Sequence, residues 1–338
     1  MNRESAKALV VGTLGVAAAM SLAMIASHVS PLVGFNAFFY GAFGGKQQIA
    51  ETLASTTALL FPALGIAIAF RAGLFNIGAE GQLLIGGLLA GWIGTHIEVP
   101  PAIAIAAIFL AGAIGGALWG AIAGWLKAAR DANEVISTLM LNFIAASLAL
   151  YLVTGPLRAP DAAGPELSLL PHAYWLPTLL SHTRATIALP IALLAGFALR
   201  YVLNNTWFGY RLRAAGEAPE AARRAGISLS SVALWAMAWS GALAGMGGAA
   251  LVAGELHRFN TQLSPGYGFI AIAVALVGGL EPLAICVAAL AFGALESGGL
   301  ALQAAAGVPK DAIHVIEGLL VFALAARRYL GARGATAR

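Results

Sequence analysis

Apolar residues along this chain fall in long blocks separated by short breaks of charge, proline and clustered polar side chains. No Asp, Glu, Lys or Arg lies between Ala8 and Gly45, and Ala102 to Leu126 holds no ionisable side chain at all. Each block is long enough to cross about 30 Å of hydrocarbon, which takes about 20 helical residues. Reading blocks against breaks predicts ten spans, near 7–29, 52–70, 83–95, 102–126, 134–153, 185–203, 229–253, 267–280, 283–303 and 312–326. The third and eighth are short enough to be re-entrant or broken. The apolar stretch Asn36 to Gly45 is too short to span and is read as an interfacial loop. The first span follows Arg3 and Lys7, and its apolar run to Ala26 is longer than a signal-peptide core, so it is read as uncleaved.

Composition agrees with this pattern. Of 338 residues 60% are hydrophobic and 10% charged, against roughly 25% charged in a soluble domain. Lys and Arg then orient the spans, because they resist translocation. With the N-terminus inside, 14 of the 19 fall on the cytoplasmic side and five (Lys46, Arg158, Arg184, Arg258, Lys310) on the other, which puts both termini inside. The reading is an all-α, polytopic transmembrane helical bundle of about ten spans, forming one domain over residues 1–338. In the fourth span Gly112, Gly116, Gly120 and Gly124 recur every fourth residue and make a smooth strip for a neighbouring helix.

Several function classes drop out. The net charge of +4 is scattered between spans and forms no stripe for nucleic acid. There is no GxxxxGK[ST] loop, no HExxH or paired-cysteine metal pattern and no GxSxG elbow, so neither a resident metal nor catalysis is expected. Cys286 is a single cysteine in an apolar segment and can form no intrachain disulfide.

Candidate chemistry lies in the polar breaks. RAGLFNIGAEGQ (Arg71 to Gln82) carries Gly73, Gly78 and Gly81, read as helix interruptions, beside Phe75, Asn76, Glu80 and Gln82. A break at membrane depth is tolerated only where protein or a water path covers it. NEVISTLMLN sets Glu134, Thr138 and Asn142 four apart on one face, fit for a pathway or for interhelical bonds. Asn204 to Ile227 is polar and arginine-rich. Pro219 and Gly226 bound a short helix with Glu220 early and Arg223 and Arg224 late, as the helix dipole favours. It is either a solvated loop or a docking helix. The Pro-rich outer loop Thr154 to Arg184 resists regular helix. Glu296 and Glu317 sit inside the ninth and tenth spans, as neutral hydrogen-bonding acids or as proton carriers.

Taken together, Arg71 to Gln82, Asn133 to Asn142 and GYRLRAAGEAPEAARRAGI (Gly209 to Ile227) resemble the nucleoside and simple-sugar permease subunits of bacterial ABC importers, within the branched-chain amino acid and ribose permease superfamily. The resemblance covers most of the chain, including Ser240 to Ala249 and Ser264 to Leu283. It implies a multi-pass inner-membrane permease working by ATP-driven alternating access. Its implied partners are a cytoplasmic ATPase that holds the ATP and Mg, an extracytoplasmic substrate-binding lipoprotein and a second permease, with a heterodimer favoured over a homodimer. Glu220, Ala221 and Ala222, with Gly226, look like an EAA-type coupling loop, and the coupling set is Arg211, Arg213, Gly216, Glu217, Glu220, Ala221, Ala222 and Gly226. Many relatives place Asn where this chain has Ala218, and Glu217 is expected to share the lost capping role. Phe75, Asn76, Glu80, Gln82, Glu134 and Asn142 are expected to line or brace the substrate path. The competing expectations are a permease for ribose-like sugars or branched-chain amino acids, an ion-coupled secondary transporter using Glu296 or Glu317, and a structural membrane protein.

Overall fold

The structure is a computed structural model and describes residues 18, 20–22, 24, 25, 27–160, 164–307, 315 and 318. The first and tenth expected spans lie largely outside these residues, as does Glu317. All regular elements among the described residues are helical: α1 (Pro31–Phe43), α2 (Lys46–Arg71), α3 (Ala79–His96), α4 (Pro101–Arg130), α5 (Glu134–Thr154), α6 (Ala188–Asn205), α7 (Trp207–Glu217), α8 (Pro219–Arg224), α9 (Leu229–Leu251), α10 (Tyr267–Val277) and α11 (Pro282–Ala306). Among the described residues six helices are long and apolar enough to cross a membrane, namely α2, α4, α5, α6, α9 with its extension to Leu256, and α11. Helix α3 reaches 18 residues, while α1 and α10 are shorter.

Local sequence explains most helix ends. Asn133 caps α5, its Oδ1 accepting from the Val135 and Ile136 amides at 2.9 and 3.3 Å. Thr206 and Ser228 cap α7 and α9 through Gly209 and Ser231. Prolines open α1, α4 and α8, where their missing N–H costs nothing. Helix α4 stops at Asp131, in the left-handed region, with Asp131 and Ala132 amides returning to the Lys127 and Leu126 carbonyls.

The chain divides into two compact units. One comprises residues 1–55 and 291–338, the other 56–290. In the first, α1 replaces the interfacial loop expected at Asn36 to Gly45. Gly34 and Gly41 do not break this helix, because they face the Met24 side chain and the Ala301 and Gly298 region, where any larger residue would collide. Met20, Met24, Phe38 and Leu302 form its core.

The second unit is built on α3, α4 and α9. The glycine strip of α4 meets Gly241 and Gly245 of α9 backbone to backbone: a methyl on Gly112 would come to 2.7 Å of the Gly245 carbonyl oxygen, and one on Gly116 would strike that of Gly241. Gly86 of α3 fits against Gly245 and Gly112 from the third side. Close approach of this kind drives helix association in lipid, where burying apolar surface gives no advantage. Facing outward are Leu110, Leu118 and Trp125 on α4, Phe143, Ile144 and Tyr151 on α5, and Leu194 and Phe197 on α6, the apolar exterior that a bilayer requires.

At one end of this unit α9 runs into a π-helical turn, Val252–Leu256. The irregular, Pro-rich segment before α6 lies along it. Leu167, Leu170 and Leu176 donate their amides to the carbonyls of Phe259, His257 and Ala253 at 2.8–2.9 Å. Arg184 pairs with Glu255 and Arg258 with Glu166. Trp175 stacks on His257 with centroids 3.6 Å apart and is flanked by His172 at 4.5 Å. Burial holds the His257 imidazole below its ordinary range, aided by the His172 ring.

Candidate functional site

At the opposite end α2 terminates in a glycine-dependent cap. Gly73 takes φ +75°, and the Leu74 amide reaches back to the Ala69 carbonyl. The chain then runs without regular structure from Leu74 to Ile77 before α3 begins at Ala79. The third expected span therefore starts four residues early. Gly78 is the N-cap, and Gly81 lies inside the helix, tight against Asn142 and Ala145. Of the three glycines read as interruptions, only Gly73 needs glycine's backbone freedom.

This non-helical stretch is clamped by side chains from three helices. Asn76 is 0% exposed; its amide nitrogen donates to Gln82 Oε1 at 3.0 Å and Ser240 Oγ at 2.8 Å, and its Oδ1 accepts from the Gly78 amide. Asn142 donates to the Ile77 carbonyl and accepts from the Gly81 amide, at 2.9 and 2.8 Å. Thr138 Oγ1 accepts from the Ile77 amide. Glu80, 8% exposed, accepts the Gly268 amide of α10 at 2.7 Å. Irregular backbone in a membrane protein must be satisfied by protein, and these side chains meet that requirement.

Four of the expected path residues thus come together: Asn76, Glu80, Gln82 and Asn142. Glu134 does not join them, because Lys127 holds its carboxylate at 3.3 Å. Phe75 differs from its neighbours. At 42% it is the exposed side chain of Leu74 to Gly78, and it stacks on Phe70 with centroids 4.4 Å apart. Sequence reading missed Ser240 and the Gly268 amide as partners. A lone serine in the apolar run of α9 was the available signal for the first; a backbone group leaves none.

The polar segment 204–227 folds as two helices. The short one expected from Pro219 is α8, and Gly226 ends it at φ +83°. Preceding it is α7, which the sequence did not announce. The N-cap of α8 is Ala218, and no side chain caps it; Glu217 does not take that role, being itself the last residue of α7. Arg213 donates to the Leu203 carbonyl. Ala222 is buried, Glu220 pairs loosely with Arg223, and Glu220, Ala221, Arg223 and Arg224 are exposed. Gly216 abuts the Arg71 to Gly73 turn. Nearby, Arg71 donates to the Leu280 carbonyl and to Glu281, whose other oxygen lies 3.3 Å from Arg200. Among the described residues no group of three or more His, Cys, Asp or Glu could hold a metal.

A multi-helix body with an apolar exterior and an internally satisfied break between spans marks a multi-pass membrane protein. Residues 48–325 match the family described as the branched-chain amino acid transport system permease component, and the chain belongs to it. It is the non-catalytic permease subunit of an ABC importer and a multi-pass protein of the bacterial inner membrane. Relatives include the guanosine ABC transporter permease protein NupP of Bacillus subtilis, 34% identical over 94% of this chain and 92% of that protein. The glucose ABC transporter permease protein TsgB13 of Haloferax volcanii is 33% identical over 93% and 86%. The nucleoside ABC transporter permease protein NupB of Lactococcus lactis is 31% identical over 91% and 87%. Each of these organisms also has a second matching permease, at 27 to 29% identity. No solved structure matches the chain.

Proposed function

We propose that this subunit carries nucleosides. Phe75 carries the reading: an exposed aromatic face, backed by Phe70, stands on the clamped segment, and a nucleobase stacks on such a surface. Asn76, Gln82 and Asn142 brace the segment and Glu80 ties α3 to the start of α10, rather than touching solute. Both termini lie in the cytoplasm with about ten spans forming one permease domain, as the distribution of Lys and Arg supports. The α7–α8 pair then faces the cytoplasm. Arg211, Arg213, Gly216, Glu217, Glu220, Ala221, Ala222 and Gly226 form the contact with an ATPase that binds ATP and Mg, and a lipoprotein delivers solute from outside. Three organisms each supply a better and a poorer match, which supports a heterodimer with a second permease. The name of TsgB13 supports a second reading, in which the solute is a neutral sugar.

The test is uptake by proteoliposomes holding this chain, its neighbouring permease, ATPase and binding protein. ATP-dependent uptake of labelled guanosine, competed by other nucleosides and not by glucose or ribose, is expected. Phe75→Ala should raise KM about tenfold, the scale of one lost base–aromatic stack, and Phe75→Trp should restore it. Competition by the sugars alone transfers the assignment to the second reading. Uptake that follows an ion gradient and ignores ATP overturns both.

A further inference from the structure

Gly216 is the point where the α7–α8 pair meets the clamped segment. A methyl group placed on it would strike the Arg71 carbonyl oxygen and come within 2.9 Å of the Gly73 nitrogen and 3.0 Å of the Ala72 carbonyl carbon. From the other side, a methyl on Gly73 would sit 3.1 Å from Gly216 Cα. Two backbones touch here with no side chain between them, so a shift of one displaces the other with no rotamer to absorb it.

The contact has a firm side and a yielding side. Arg71 is tied to Leu280 and Glu281, and Glu281 to Arg200, which holds the end of α2 against α6 and the turn before α11. Beyond Leu74 the chain has no backbone-to-backbone hydrogen bonds until α3. Side chains hold this stretch instead: the Ile77 and Gly78 amides donate to the Thr138 hydroxyl and Asn76 Oδ1 at 3.2 and 2.8 Å, and the Ile77 carbonyl accepts from Asn142. A push at Gly216 is therefore resisted at Arg71 and passed into the stretch from Gly73 to Gly78, which side chains hold and no backbone ladder fixes.

We infer that the Gly216–Gly73 backbone contact is the step that passes movement of α7–α8 to the Phe75 segment, making Gly216 a positioning residue for transport. This rests on the α7–α8 pair being the ATPase contact.

The test uses the full complex in proteoliposomes. In the wild type, ATP is expected to change hydrogen exchange at the Ile77 and Gly78 amides; no change there overturns the inference. Gly216→Ala should lower solute moved per ATP hydrolysed by about tenfold and abolish the exchange response. A variant that only loosened packing would lose thermal stability while keeping its transport per ATP, and that result also overturns it. Should Gly216→Ala fail to assemble, the wild-type exchange measurement decides. A wild-type chain that forms no complex with the ATPase instead overturns the importer contact itself, and the inference with it.

Discussion

Asn76 and Asn142 each substitute for missing backbone partners, so removing either side chain strands main-chain groups away from water. Asn142→Ala leaves the Gly81 amide and the Ile77 carbonyl unmet, and Asn76→Ala leaves the Gly78 amide and Ser240. Each buried group left unsatisfied costs about 1–3 kcal/mol. Both variants should unfold at lower temperature in detergent and take up solute more slowly at equal membrane abundance; wild-type stability with wild-type uptake would reject the bracing role. The amides themselves were legible as polar breaks in apolar sequence. Their partners were not, because Ser240 lies 164 residues from Asn76 and only the fold joins them. Glu134 shows the converse. Spacing alone sets it on the face of Thr138 and Asn142, yet Lys127 from the preceding helix end captures it.

Among the elements, helix positions followed from apolar blocks, and the bounds of α8 from Pro219 and Gly226. Two helices escaped that logic. Glycine count hid α1, since a glycine facing a close neighbour is a packing device rather than a breaker. Polarity hid α7, whose stacked Trp207 and Tyr210 and cap at Thr206 supply what apolar content does not. The segment laid on the π-helical turn has its own signature in pH. Burial against Trp175 lowers the His257 pKa, so the neutral ring is the one that fits. For a base depressed on folding, the full contribution is present above the unfolded value of about 6.5 and declines as pH falls below it. Protection of the Leu167, Leu170 and Leu176 amides, measured as exchange relative to the intrinsic rate at each pH, should therefore fall between pH 7.5 and 5.5, flanking Glu166, Arg258, Arg184, Glu255 and His172 notwithstanding, and His257→Phe should flatten the profile. An unchanged slope in that variant would assign the effect to those neighbours.

At the scale of the molecule, membrane class and family were both legible, the first from charge-free blocks and the second from three polar motifs. Division into two units was not, since contact between distant helices leaves no periodic trace. The glycine seam between α4 and α9 bears on how such a protein can work. Where carbonyls rest on α-carbons there is no lubricating layer of side chains, and sliding would open voids that neither lipid nor water can fill. The seam is a keel: alternating access must tilt it whole and flex elsewhere. Gly116→Ala, whose methyl would strike the Gly241 carbonyl oxygen, should therefore lower the melting temperature in detergent, and wild-type stability would mean that the keel yields. The rigid part of this transporter is then the part with the smallest side chains, and its moving parts hang from it.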